Sequence, residues 1–210
     1  MRLRNQKGGE AKRAAPLLVG VKEDKALRQV VLYIAMSLDG YIADQKGSVN
    51  WLSGQDDNID NEDTYSEFIK DVDTVLMGWK TYNQIVTELS PDEWVYSGLD
   101  TYIFTHRSLE DKDDIHFTGE QPEQLVERLK SEEGKNIWIC GGAEIVNQLL
   151  KVDLIDRFHI AVIPVLLGSG TRLFPESQDK KLLRLITTKQ YNGICELLYE
   201  KRSERKNNVQ

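Results

Sequence analysis

The chain has 210 residues, 40% apolar and 29% charged, with a net charge of −7, a composition that fits one globular domain with a sizeable core. Charge is uneven: residues 1–28 carry eight Lys/Arg against three Asp/Glu, which leaves 19 basic and 31 acidic residues in the body and argues against a nucleic-acid groove. The longest apolar run of the leader, residues 14–19, is too short for a secretory signal, and nothing approaches the ~18 apolar residues of a membrane span, so a cytoplasmic protein is expected.

Residues 1–28 read as a poorly ordered basic leader or tag, 29–203 as one domain and 204–210 as a tail. Cys140 and Cys195 each lie in an apolar strand-like run, away from any C-x-x-C pair. His106, His116 and His159 are isolated, so no metal site is expected.

Residues 29–36 form an unbroken apolar run, the pattern of a strand covered on both faces. Asp39-Gly40 is a turn signal directly beyond it, where open α/β sheets make ligand contacts. Residues 45–61 have no period, and a loop of that length in a compact domain is more often functional than not. Its Trp51 either anchors the loop or lines a pocket. Asp60 or Asn61 can cap a helix over 62–70, whose Tyr65, Phe68, Ile69 and Val72 make a core stripe.

Residues 73–77 are a second buried strand, and Gly78-Trp79-Lys80-Thr81-Tyr82 opens a helix from its end. Gly78 permits the turn, while Lys80 and Thr81 bring a cation and a hydroxyl beside free helix N–H groups. A third strand, 101–104, ends in Thr105-His106-Arg107-Ser108, cationic and hydroxyl groups that suit a phosphate recess. A helix over 123–130 leads into the central strand 136–140, which ends at Gly141 and Gly142. Ile145, Val146, Leu149 and Leu150 then fall on one helix face. Without Cβ atoms the glycine pair lets a ligand reach main chain, and the first amides of the helix are free to hold a phosphate. A tight turn without a ligand explains the pair equally well. Residues 155–163 partly alternate, and two strand-like runs, 182–188 and 193–201, follow around a break at 190–192, which predicts antiparallel edges on a parallel centre.

Five motifs stand in order across residues 29–201: Ser37-Leu-Asp39-Gly40-Tyr-Ile-Ala43, Met77-Gly78-Trp79-Lys80-Thr81-Tyr82, Phe104-Thr105-His106-Arg107, Cys140-Gly141-Gly142-Ala143-Glu144 and Pro164-Val-Leu-Leu-Gly168-Ser-Gly170-Thr-Arg-Leu-Phe174. Together they resemble the dihydrofolate-reductase fold, and within it the reductase domain at the C-terminus of the bifunctional riboflavin-biosynthesis deaminase/reductase. The resemblance implies a three-layer α/β/α domain with a mixed, mostly parallel central sheet and antiparallel C-terminal strands. It also implies NADPH, with Gly78, Lys80 and Thr81 by the cofactor phosphates and Thr105, His106 and Arg107 by the adenosine 2′-phosphate. Gly141, Gly142, Ala143 and Glu144 would contact the cofactor, commonly around a cis Gly–Gly peptide. Where the family often has Arg after Gly78 this chain has Trp79, which leaves Lys80, His106 and Arg107 as the available cations.

On the acceptor side the resemblance gives Asp39 a place by the substrate's ribose. Dihydrofolate reductases carry a carboxylate on the helix after the Trp-containing loop. Counting forward from Trp51 reaches Asp56, and counting back from Gly78 reaches Glu62, so the carboxylate has two placements and dihydrofolate is the less favoured substrate. The deaminase signature, His-x-Glu with Pro-Cys-x-x-Cys, does not occur in the chain. The expected function is therefore an NADPH-dependent reductase of a small heterocycle or sugar-linked pyrimidine. Asp39 and Trp51 face the substrate, and Asp56, Asp57, Glu62 or a water delivers the proton. Dihydrofolate reduction and nucleotide binding without turnover are the alternatives. Antiparallel C-terminal strands leave an edge to cover, and the resemblance implies dimers, so a homodimer using roughly 155–200 is expected.

Overall fold

The computed structural model describes residues 27–59, 61–176 and 180–202. In chain order its elements begin with β1 (Val30–Ser37), β2 (Tyr41–Ala43), α1 (Tyr65–Phe68), β3 (Val72–Gly78) and α2 (Trp79–Gln84). Next come β4 (Asp100–Phe104), β5 (Ile115–Thr118), α3 (Pro122–Ser131), β6 (Asn136–Gly141) and α4 (Ala143–Lys151). The chain closes with β7 (Arg157–Ile163), β8 (Thr171–Arg172), β9 (Leu183–Tyr191) and β10 (Ile194–Lys201).

The apolar runs pair into an eight-stranded sheet of order β5-β4-β3-β6-β1-β7-β10-β9. Its first six strands are parallel, and β10 and β9 are antiparallel to what precedes them. Strands β2 and β8 form a separate two-stranded ribbon. Successive strand residues face opposite sides, so Ile137 and Ile139 pack with Leu125, Val126 and Leu129 of α3 and Ile145, Val146 and Leu149 of α4. Trp138 between them packs on the other face with Val75, Met77, Tyr82 and Phe68. Helices cover both faces, and this is why the central strands read as unbroken apolar runs. The three-layer fold with a mixed sheet is the one expected.

Several local expectations need correction. The helix expected over 62–70 is a single turn, α1, that tightens into a 3-10 turn at Ile69–Asp71. Asp60 lies outside the described residues, and the N-cap residue, Thr64, makes no side-chain cap bond. Asp63 instead accepts a bond from the Ser66 amide at 2.9 Å, and the helix must stop where Val72 enters β3. Strand β5 had no sequence signal because Ile115-His-Phe-Thr is short and half polar. The late break falls at Asn192-Gly193, both with positive φ (43° and 76°), the Asn-Gly hairpin turn, so β9 runs on to Tyr191.

Arg28, assigned by the sequence to the leader, is 5% exposed. Its guanidinium donates to the carbonyls of Lys135 (2.8 Å) and Leu129 (3.4 Å), to Thr74 Oγ1 (2.6 Å) and to Asp73, stapling the start of β1 to β3 and to the α3–β6 connection. Gly134 makes room for it: a Cβ there would stand 2.7 Å from Arg28 Cζ.

Candidate functional site

The parallel strands deliver their C-terminal ends to one edge of the sheet. Gly78 pairs with Phe104, and Met77 pairs with Gly141, so the ends of β3, β4 and β6 lie side by side. A helix starts at once from two of them, with Gly78 as N-cap of α2 and Gly142 as N-cap of α4. A Cβ on Gly78 would lie 4.0 Å from the Gly142 nitrogen, so the two turns touch. Thr81 Oγ1 sits 3.5 Å from where a Cβ would stand on either Gly141 or Gly142. Gly78, Thr81, Gly141 and Gly142, singled out separately in the sequence, thus form one group.

The two glycines differ in what they require. Gly141, with φ +149°, has a backbone that side-chain-bearing residues rarely adopt, whereas Gly142, with φ −86°, does not. A Cβ on Gly142 would meet only the Thr81 hydroxyl, at ordinary contact distance. Neither its φ nor any non-neighbouring side chain demands a glycine at 142. The peptide bond between the two is cis. Beyond it, Ile145 and Val146 donate to the Gly142 carbonyl, so the amides of Ala143 and Glu144 stand at the open end of α4.

One strand over, the Arg107 amide donates to Thr105 Oγ1 at 3.1 Å, and the Arg107 guanidinium lies over the Trp79 ring, 4.7 Å from its centroid. Trp79 therefore carries a cation above its ring. Lys80 and His106 are both exposed beside this pair.

The acceptor-side residues are engaged differently. Ser37 Oγ donates to Asp39 Oδ1 at 2.6 Å, and the amides of Leu167 and Gly168 donate to its two oxygens at 3.1 and 2.7 Å. The Ser37 bond and these amides hold the Asp39 carboxyl below the usual carboxylate range. Asp39 thereby clasps the 164–168 turn to the end of β1. Trp51 donates from Nε1 to the Ser48 carbonyl at 3.1 Å. Asp56 accepts from the amide and side chain of Asn58, both at 2.9 Å, which lowers its pKa. Glu62 forms an exposed ion pair with Lys189 at 2.9 Å, and Asp57 is exposed. The bonded partners of Asp39, Asp56 and Glu62 lie in β1, the 164–168 turn, the loop at Asn58 and β9, not in the glycine turns.

A buried carboxylate does reach the start of α1, from the opposite end of the chain. Glu196, 3% exposed, accepts from Thr64 Oγ1 (2.5 Å) and Tyr191 OH (2.6 Å), and its other oxygen lies 3.0 Å from His159 Nε2. Burial pushes its carboxyl up, but the bonds from His159, Thr64 and Tyr191 outweigh it and hold the pKa at about 2, below the ordinary 4.5. A depressed pKa stabilises the fold above the unfolded value and ceases to do so as pH falls through the folded one. Thermal melts should therefore lose stability progressively from pH 4.5 towards 2. Glu196→Gln should flatten that acid limb, and an unchanged limb would assign it to another group. No sequence signal marks Glu196, because an acid inside an apolar strand reads as an outward-facing residue.

The chain matches the family described as the RibD C-terminal domain over residues 28–198. It is 44% identical over 175 residues to the uncharacterized protein YwjB of Bacillus subtilis, covering 82% of this chain and 97% of that one. A protein named for riboflavin biosynthesis in Shewanella sp. PV-4 superposes with a TM-score of 0.73 at 27% identity, covering 83% of this chain and 99% of that one. The diaminohydroxyphosphoribosylaminopyrimidine deaminase/5-amino-6-(5-phosphoribosylamino)uracil reductase of Thermotoga maritima shares the fold, with a TM-score of 0.62 at 14% identity; 84% of this chain matches 57% of that one. Among the described residues no helix is long and apolar enough to cross a membrane.

Proposed function

Because this chain belongs to the RibD C-terminal domain family, we propose that it is an NADPH-dependent reductase of a small heterocycle or sugar-linked pyrimidine, of the kind named for the Thermotoga maritima enzyme. The observation that carries this reading is the contact between the Gly78 and Gly141–Gly142 turns, with main chain at Gly142 that only the Thr81 hydroxyl approaches from outside the turn. Those turns, Thr81 and the amides of Ala143 and Glu144 hold the dinucleotide's phosphates. Lys80, His106 and Arg107 take the 2′-phosphate, and Trp79 keeps the Arg107 fork in place. Bound NADPH supplies the hydride. The chain positions the acceptor with the loop that carries Trp51, behind the turn that Asp39 clasps. A water, or one of Asp56, Asp57 and Glu62, delivers the proton.

The working unit in this reading is a homodimer. Among the described residues strand β9 is an unpaired sheet edge whose Leu185 and Ile186 are 51% and 47% exposed, the kind of edge that a second copy covers. A monomer mass by light scattering at micromolar concentration would remove this part.

The reductase reading is tested by NADPH consumption against a panel containing dihydrofolate and the ribosylaminopyrimidine. Turnover of dihydrofolate alone would replace the substrate class, and saturable NADPH binding without any turnover would make the protein a nucleotide binder. In the same titrations Arg107→Ala should weaken NADPH by about 1.5–3 kcal/mol more than NADH, the loss of one charge-assisted hydrogen bond. Equal weakening of both would mean that Arg107 does not read the 2′-phosphate.

A further inference from the structure

The loop between β2 and α1 is a strap along the sheet edge that carries the glycine turns. Its near end is tied to α2, where Gln84 Nε2 donates to the Gly47 carbonyl at 2.9 Å. The Asp44 carboxylate shapes the bend there by accepting the amides of Lys46 and Ser48 at 2.8 and 2.9 Å. Its far end is tied to the β9–β10 hairpin. Cys195 pairs with Val162 in antiparallel register, and Ile163 pairs with Ser37 in parallel register. The hairpin tip at Asn192-Gly193 therefore stands at the same edge as Gly78 and Gly141. Between α2, which follows β3, and that tip lie the ends of β6, β1 and β7. The strap spans the edge where open α/β sheets bind their ligands.

Asn192 makes most of the far anchorage. Its carbonyl accepts the Gln55 amide at 2.9 Å, and Oδ1 accepts the Asp56 amide at 3.0 Å. Nδ2 faces three acceptors: the carbonyls of Asp56 (3.0 Å) and Ile59 (3.1 Å) and Oδ1 of Asn61 (3.0 Å). The fit is close on both sides, since a Cβ on Gly54 would collide with the Asn192 side chain and one on Gly193 would stand 2.7 Å from Gln55 Oε1. Two further hairpin residues extend the grip, Lys189 on Glu62 and Glu196 on Thr64. A hairpin turn needs Asn or Gly at this position, but a turn alone does not need the amide to be spent on a segment more than 130 residues earlier.

We propose that Asn192 is a positioning residue for the acceptor side of the site, setting the strap that carries Trp51 from the opposite end of the chain. The proposal rests on the reductase reading for its kinetic consequence and on geometry alone for the anchorage.

Asn192→Gly is the discriminating variant, because glycine keeps the positive φ of the turn and deletes only the side chain. Amide exchange across residues 52–59 should quicken about tenfold. The KM for an accepted substrate should rise about tenfold while NADPH affinity stays within about twofold, the split expected when one side of a site loosens. Asn192→Asp, which keeps the acceptor for the Asp56 amide and loses the donations, should fall between. Unchanged exchange in Asn192→Gly, or faster exchange with an unchanged KM, would overturn the proposal. If the unaltered protein turns over none of the panel, the reductase reading fails by itself, and the exchange rate alone decides whether Asn192 holds the strap.

Discussion

Gly142→Ala protein should fold and melt like the unaltered protein and bind NADPH about a hundredfold more weakly, roughly 2.7 kcal/mol, the scale of forcing a methyl into a closely packed contact. Folding is expected because the φ of −86° is open to alanine and the added methyl meets only the Thr81 hydroxyl at 3.5 Å. Binding is expected to fail because a dinucleotide lying against that main chain leaves no space for a methyl. Gly141→Ala is the contrasting case. Its φ of +149° makes alanine strained whatever the space, so it should lose on the order of 1 kcal/mol or more of stability before any ligand is added. Ala143→Ser, one step into α4, should be mild in both respects. NADPH fluorescence titration on protein shown by circular dichroism to be folded separates these outcomes. Near-native affinity in Gly142→Ala would place the cofactor elsewhere and withdraw the function built on this turn.

Arg28→Ala should cost about 3 kcal/mol of stability, the lower end of the range for removing one member of a buried ion pair. The lower end applies because Asp73 is 35% exposed and regains some hydration once its partner is gone. The carbonyls of Lys135 and Leu129 lose a donor as well, in a connection so close to the guanidinium that a Cβ on Gly134 would stand 2.7 Å from Arg28 Cζ. Arg28→Lys should recover only part of the loss, since an ammonium has three donors and cannot replace a guanidinium that serves four acceptors. Denaturant melts measure both variants. An Arg28→Ala midpoint like that of the unaltered protein would show that residue 28 is dispensable and that the domain starts at β1.

Much of the fold was legible because its central strands are covered on both faces. That forces apolar runs at residues 30–36, 75–77 and 137–140, and runs of that kind are hard to misread. The glycine turns were legible because glycine directly after an apolar run marks a strand end, although of the three only Gly141 has a φ that calls for one. Elements that depend on a partner were not. β5 exists because β4 offers it an edge, and α1 is cut to one turn because Val72 is claimed by β3 and the Thr64 hydroxyl by Glu196. Arg28 gave no local sign of burial, as its four acceptors lie between 45 and 107 residues away.

By itself the sequence determined the buried strands, the two glycine turns, the cations beside them and the family pattern, all of which are written in local composition and spacing. Only the tertiary structure decided that Gly78, Thr81 and Gly141–Gly142 form one group, that Arg107 rests on Trp79, and that Asp39 clasps a turn. It alone placed Asn192 and Glu196 on the strap before α1. A hydrogen bond fixes the distance between two groups and says nothing of their separation along the chain, so pairings between residues such as Asp56 and Asn192 leave no period, spacing or composition to read.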